Sequence, residues 1–397
     1  MKIRRAYKTE LDPNGFQQGE LLRHAGAARF AYNWGLQRKR EAYANGEKTL
    51  TAVDLHRELN LLKKVELDWM YEVSKCAPQE ALRDLDRAFK NFYEKRARFP
   101  RFKSRKNGIG SFRLTGAIRV FESKVQLPRL GTIKLKEHGY IPTSGVHLLS
   151  ATVSERAGRW FVSIQAEEDI EVPGNDGEVV GVDVGISSLA TVSDGTVIEN
   201  PKALKSAERR LKRLQKEVSR KKKGSNNRQK ARERLARCHY RVSNIRKDAI
   251  HKATTMLART KSVIVVEDLS VGNMMKNHHL AGALADAGLA EFHRQLEYKT
   301  KWYGSRLMEA DRFYPSTKMC SNCGNMREMK LGERVYECDA CGFLAPRDYN
   351  SALNLKMLAV SSTESVNACL RQEVQDARME YSVPAIDAGM VDGPKRP

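Results

Sequence analysis

Two C-x-x-C pairs, Cys320 with Cys323 and Cys338 with Cys341, constrain this chain more than any other stretch. Each pair is followed by a glycine, Gly324 and Gly342, which allows a tight knuckle of backbone to wrap a metal. Four soft thiolates in two knuckles make a closed tetrahedral zinc site with no position left for substrate. Free thiols grouped by chance are the alternative, and the repeated spacing with its repeated glycine speaks against them. The metal expected here is structural, so any chemistry must lie elsewhere. Directly after the second pair, Asp348 opens DYNSALNLKML, a helical pattern with Ala352, Leu355 and Leu358 on one face.

Two further carboxylates occupy comparable positions. Asp183 lies in the apolar run EVVGVDVGIS, where Gly185 ends a strand, and Glu267 closes the strand-like SVIVVED. An acid at a strand end is usually a solvated terminus. Three acids in the order strand, strand, helix form a constellation instead. Their hard oxygens suit Mg²⁺ or Mn²⁺ rather than zinc. Two such ions about 3.5–4 Å apart can activate water and stabilise a phosphodiester's leaving oxygen, with Asp183 expected to bridge. Asp268 competes with Glu267, but strand alternation sends the two to opposite faces, and Glu267 is the expected ligand. No Ser/His/Asp or Cys/His nucleophile set is evident. His251, His278, His279 and His293 are expected at the surface or in packing.

The chain has 397 residues, enough for two or three domains, and a formal net charge of +22. A polyanion is the expected partner. MKIRRAYKTE is followed by no apolar signal segment, and no apolar run is long enough for a membrane span. Cys76, Cys238 and Cys369 are scattered and read as reduced thiols, which fits a reducing cytoplasm.

In chain order, residues 1–14 hold one strand ended by Asp12-Pro13-Asn14-Gly15, and residues 15–98 are helical. From 99 to 175 the period becomes two, with proline and glycine between short runs, which predicts a small β-barrel or sandwich. The helical block then interrupts this β unit. From 176 to 315 the order is three antiparallel strands, long helices, the strand SVIVVE, a helix and the strand RLMEADRFY. That is the order of an RNase H-like fold, completed by a helix at 346–360. Residues 316–345 form the zinc-binding insertion. Between the third and fourth strands, Lys202 to Lys247 reads as a basic helical hairpin turning at SRKKKGSNNRQK, with Leu211, Leu214, Val218 and Leu235 as its seam. Arg210, Lys221, Lys222 and Lys223 on this hairpin are expected to meet phosphates. Residues 361–397 read as a poorly ordered tail.

At this point the sequence resembles a family. GVDVG at 181–185, VVEDL at 265–269, YPSTKMCSNCG at 314–324, CDACG at 338–342 and RDYNSALN at 347–354 resemble TnpB, the compact RNA-guided nuclease of insertion sequences that is ancestral to type V CRISPR effectors. GAARFAYNWGL at 26–36 and SKCAPQEALRDLDRAFKNFY at 74–93 extend the resemblance to the N-terminal half. It implies a multidomain α/β protein. A wedge-like β-barrel would be interrupted by a helical recognition domain and followed by a RuvC-like nuclease domain with a zinc-ribbon insertion. It implies a guide RNA from the transposon end, one protein per RNA, and double-stranded DNA unwound to single strands. A short target-adjacent motif would be read at Lys75 and Gln79, a cation and an amide suited to base edges. Catalysis would fall to Asp183, Glu267 and Asp348 with Mg²⁺ or Mn²⁺. The family carries an acid two residues before the last of these, where this chain has Pro346. An RNA-guided repressor that binds without cutting and an unguided transposase are the competing readings. The three acids weigh against the first, and the long basic hairpin and interrupted barrel against the second.

Overall fold

The computed structural model describes residues 1–330 and 332–362. The described chain forms two compact units of mixed α/β structure, residues 1–171 with 221–237, and residues 172–220 with the described residues after 237.

The first unit begins with β1 (Lys2–Asp12) and then turns helical through α1 (Gly15–Ala44), α2 (Ala52–Val65) and α3 (Cys76–Tyr93). Six strands follow, β2 (Ser111–Leu114), β3 (Arg119–Val120), β4 (Lys124–Leu127), β5 (Gly131–Leu135), β6 (His147–Arg156) and β7 (Arg159–Asp169). All seven strands pair in the order β2-β6-β7-β1-β5-β4-β3. The first strand is central, running antiparallel to β7 from Lys2 opposite Asp169 to Leu11 opposite Trp160. The helices α1–α3 therefore emerge from the sheet between β1 and β2. Among the described pairings β2 and β3 do not meet, so the expected barrel is an open sheet. With only Arg119 and Val120, β3 offers too few backbone groups to close a ring.

Asn14 starts α1 with a capping box: its side chain accepts from the Gln17 amide, and Gln17 reciprocates to the Asn14 amide. Leu21, Leu36, Leu82 and Leu85 of the helices share one core with Ile133, Val153 and Val162 of the sheet. His24 is fully buried. Its Nε2 accepts from the Ser74 amide at 2.9 Å, so Nδ1 is the protonated nitrogen, donating to the Glu20 carbonyl at 2.8 Å. Burial lowers its pKa and keeps the ring neutral.

The second unit opens with β8 (Val179–Val184), β9 (Ser188–Val192) and β10 (Val197–Glu199), followed by the helices α4 (Ala203–Arg220) and α5 (Asn226–Thr260). Then come β11 (Val263–Glu267), α6 (Val271–Met274), α7 (His278–Ala287), α8 (Leu289–Tyr303) and β12 (Arg306–Ala310). The small hairpin β13 (Val335–Glu337) and β14 (Leu344–Pro346) leads into α9 (Arg347–Ser362). The sheet order is β10-β9-β8-β11-β12, with β8, β11 and β12 parallel. Val180, Val182, Ile264 and Val266 face Ile250, Leu257, Phe292 and Leu296 of α5 and α8. On the opposite face Val179, Val263 and Val265 pack with Leu355 and Ala359 of α9. Coverage of both faces explains why SVIVVE shows no alternation.

Gly181 sets how closely α9 approaches. A Cβ there would lie 2.0 Å from the Ala352 carbonyl oxygen and 2.5 Å from the Lys356 nitrogen, so the helix backbone rests directly on the strand. The expected strand RLMEADRFY is shorter, because Asp311 turns the chain by accepting from the Phe313 amide at 2.8 Å. The α4–α5 turn falls at residues 221–225, as the basic run predicts, and α5 continues to Thr260. Leu211 and Leu214 are buried, whereas Val218 and Leu235 are half-buried. The start of α4 is capped from a distance, since buried Asp286 of α7 accepts from the Leu204 and Lys205 amides. The helix expected to end at 360 continues to Ser362, and the rest of the expected tail lies outside the described residues. No described helix is long and apolar enough to cross a membrane.

Candidate functional site

The three carboxylates fall on one edge of the five-stranded sheet. Register pairs Val266 with Val182, which sets Asp183 and Glu267 side by side one step further along adjacent parallel strands. Both share a face with Val265 and Gly181, the face that α9 covers. Asp348 stands in the first turn of that helix, where the macrodipole favours an anion. Asp183, Glu267 and Asp348 are each half-buried. Burial raises the Asp183 pKa well above its ordinary value, and the neighbouring charges of Glu267 and then Asp348 push the same way. Their oxygens are more widely spread than the four sulfurs, for the triad is not among the described groups whose ligand atoms all lie within 4.8 Å. Three hard acceptors meeting at one sheet edge suit a divalent cation, whose charge would offset the repulsion that Asp183 meets.

Glu267 and Asp348 each have a polar neighbour that the sequence does not reveal. The Ser316 hydroxyl donates to Glu267 Oε1. Arg347 Nε lies 3.5 Å from Asp348 Oδ1. Asp268 is drawn away by Arg312 at 2.5 Å, which leaves Glu267 as the acid that faces α9. Pro346 ends β14 and is exposed, a position where its missing amide is tolerated. No periodicity in the YPSTK run marks Ser316, whose contact with Glu267 is made across the fold.

The cysteines form a compact group. Cys320 Sγ is 3.7 Å from Cys341 Sγ, and Cys323 Sγ is 3.5 Å from Cys338 Sγ. A tetrahedral zinc with bonds of about 2.3 Å requires sulfurs about 3.8 Å apart, so these residues fit the ion. Gly324 and Gly342 take φ of +76° and +71°, which the tight knuckle requires. Burial pushes the Cys320 thiol up to about 12, while the Asn322 amide bond lowers Cys341 to about 6. Sulfurs this close titrate apart, and a cation is what allows all of them to be thiolates.

The expected nucleic-acid contacts occupy several places. Lys75 is exposed at the start of α3 and Gln79 is half-buried one turn later, so both share a helix face. The bond from Ser74 to His24 fixes the residue just before Lys75. Arg210 is exposed on α4, as are Lys222 and Lys223 in the following turn, and Lys221 is half-buried. A cleft of about 840 Å³ in the first unit is lined by Arg23, Arg29, Phe30, Trp34, Trp69 and Phe102, among others. Phe30 packs edge-on against Trp69 with centroids 5.5 Å apart, and both rings remain partly exposed.

A smaller cleft of about 350 Å³ in the second unit takes in Glu267, Ser270 and His293. His293 also lies 3.2 Å from Glu309 and 3.6 Å from Glu297, partly exposed beside two exposed carboxylates, consistent with the surface position expected from sequence. Deeper in this unit, buried Lys299 donates to the His251 carbonyl, Thr254, Thr255 and Gln295, with no carboxylate among these acceptors. Burial brings its pKa down to about 8.

Comparison with known proteins places these features in context. The OrfB_IS605 model, described as probable transposase, matches residues 151–278, and a Cas12f1-like TNB domain model matches residues 290–355. A helix-turn-helix model matches residues 1–48, where the fold here is one strand and one long helix. The chain is 39% identical over 359 residues, 89% of each chain, to a Streptomyces pristinaespiralis protein named putative RNA-guided DNA endonuclease. It is 35% identical to putative RNA-guided DNA endonuclease InsQ of Escherichia coli K12, covering 93% of this chain and 94% of that one. A Cas12f1 chain from a complex with single-guide RNA and target DNA shares the fold, with a TM-score of 0.55 at 14% identity, covering 89% of this chain and 99% of that one.

Proposed function

The chain belongs to the TnpB family of insertion-sequence proteins, also called OrfB of IS605, and from that membership we propose that it is an RNA-guided DNA endonuclease. The observation that carries the proposal is the meeting of Asp183, Glu267 and Asp348 at one sheet edge. The strand order of the second unit supports an RNase H-like, RuvC-like nuclease domain, with the cysteine segment as its zinc-ribbon insertion. The first unit supplies the wedge sheet, with α1–α3 as the recognition domain.

In this reading the guide RNA derives from the transposon end, and one protein holds one RNA. Base pairing selects the DNA, while Lys75 and Gln79 read a short target-adjacent motif. Arg210 and Lys221–Lys223 contact phosphates, and the aromatic cleft offers stacking surfaces to unwound strands. The three carboxylates would hold Mg²⁺ or Mn²⁺, which when bound stabilises charge on phosphodiester oxygens and lowers the pKa of water. Burial and the charges of Glu267 and Asp348 raise the proton affinity of Asp183, and a bound cation would favour its ionised form. Ser316 keeps Glu267 oriented. The four cysteines hold a structural zinc, and the protein works in a prokaryotic cytoplasm.

The test is to purify the protein from cells that co-express its flanking element DNA and to sequence the RNA it retains. The complex is then given guide-matched plasmids with randomised flanks, with Mg²⁺ or EDTA. Cutting that needs RNA and metal supports the endonuclease. Guided binding without cutting would favour the repressor, and absence of a specific RNA would overturn both.

A further inference from the structure

We propose that Ser316, Asn350 and Asn354 are positioning residues through which the first cysteine knuckle sets the geometry of Glu267 and Asp348. This inference rests on the nuclease reading above and adds to it a mechanical link between the two metal sites.

Asn350 and Asn354 are buried on α9, one turn apart. The Asn350 side chain accepts from the Ser321 amide at 3.0 Å and donates to the Met319 carbonyl at 2.8 Å. Those two bonds clamp both chain neighbours of Cys320, the first cysteine of the cluster. Asn354 donates to the Ser316 and Met319 carbonyls, each at 2.7 Å. Its own carbonyl accepts from the Tyr314 hydroxyl at 3.0 Å. The stem of the knuckle, from Tyr314 to Ser321, is thereby fastened to the helix that begins with Asp348. From that same stem the Ser316 hydroxyl reaches Glu267.

Primary amides suit this task. Each presents a donor and an acceptor in a fixed plane, and Asn350 uses both on a single strand of backbone, as a neighbouring β-strand would. Inside a buried setting these bonds resist rearrangement, because an unpaired amide there costs about 1–3 kcal/mol. Knuckle, helix and Glu267 consequently move together. Asp183 is outside the clamp, held by its own strand.

The decisive variants are Ser316→Ala and Ser316→Thr, made in the RNA-loaded complex. Three quantities are read: zinc per chain, Mn²⁺ binding by electron paramagnetic resonance without DNA, and the Mn²⁺ dependence of cutting. Ser316→Ala should retain its zinc yet need about tenfold more Mn²⁺ for half-saturation in both assays, on the scale set by loss of outer partners of metal ligands. Ser316→Thr, which keeps the hydroxyl, should restore most of the affinity. Unchanged or tighter Mn²⁺ binding by Ser316→Ala would overturn the link. Asn350→Ala guards against a purely local effect. If it folds, it should raise the Mn²⁺ requirement with Ser316 intact, and a normal Mn²⁺ titration would also sink the proposal. If it fails to fold, the Ser316 pair still decides. A wild-type complex that binds no Mn²⁺ would instead count against the nuclease reading itself.

Discussion

The second unit holds two clusters of acidic or thiol ligands that are built in opposite ways. The four sulfurs come from one short stretch, crowd within 4.8 Å of one another and sit in paired turns. The three carboxylates come from residues 183, 267 and 348, and only the sheet and α9 bring them together. A cluster made locally can close around its ion and serve as a staple. A cluster made by tertiary structure need not close around an ion, and open ligand positions are what chemistry on a phosphodiester needs.

The largest effect that would break this contrast is expected at Asp183. Asp183→Asn should lower guided cutting on the order of 10³-fold or more, as for a group acting mainly in the transition state. RNA retention should persist. Thermal stability should hold or rise, because a half-buried carboxylate, disfavoured by desolvation and repelled by two others, is removed. A marked fall in the melting temperature would recast Asp183 as structural. The cysteines should behave in the reverse manner. Structural zinc contributes about 10–16 kcal/mol of binding free energy in small zinc domains. Cys341→Ser should therefore lose zinc and expose residues 316–346 to proteolysis, followed through peptide mapping, with cutting lost as a secondary effect. An intact, protease-resistant insertion would show that the staple is dispensable.

A smaller effect tests the shared face. Gly181→Ala places a methyl 2.0 Å from the Ala352 carbonyl oxygen, which the helix must yield to. Such overpacking typically costs about 1–3 kcal/mol, and displacement of Asp348 should lower cutting about tenfold while zinc content holds. Full activity would mean that α9 can shift without consequence. The smallest effect concerns Lys299, whose depressed pKa of about 8 disfavours its charged form in the folded chain. The unfolded chain keeps the proton up to the ordinary lysine range, so this residue's penalty is full below pH 8 and is relieved as pH rises toward about 10.4. In urea titrations at pH 7.5 and 9.5, wild type should gain stability relative to Lys299→Met at the higher pH. A pH-independent difference between the two would place the charge elsewhere.

The same contrast explains what could be read without coordinates. The knuckles were legible because their spacing is local, and the order of the elements was legible because apolar periods change where strands give way to helices. Asp183, Glu267 and Asp348 were chosen as strand-end and helix-start acids, and register brings the first two together. Ser316 escaped notice because its role depends on where a loop returns in space. His24 and Lys299 escaped for a related reason, since a buried polar side chain looks like a surface one until its acceptors are known. Alternation reports strands but not whether the outer two pair, so it does not separate a closed barrel from the open sheet formed here. The seam of the basic hairpin was only partly legible, because α5 runs well past the basic run that marked it.

The placement of β1 has a consequence for synthesis. This strand is made long before its partner β7, which ends at Asp169. At about 5–20 residues per second, the strand waits roughly 8–30 s for its neighbour. During that interval α1–α3 emerge and can bury leucines among themselves, while the edges of β1 stay bare. The nascent chain thus carries an unpaired strand through its early life. Its charged alternation, KIRRAYKTELD, is the kind of sequence that keeps such an edge from finding another chain.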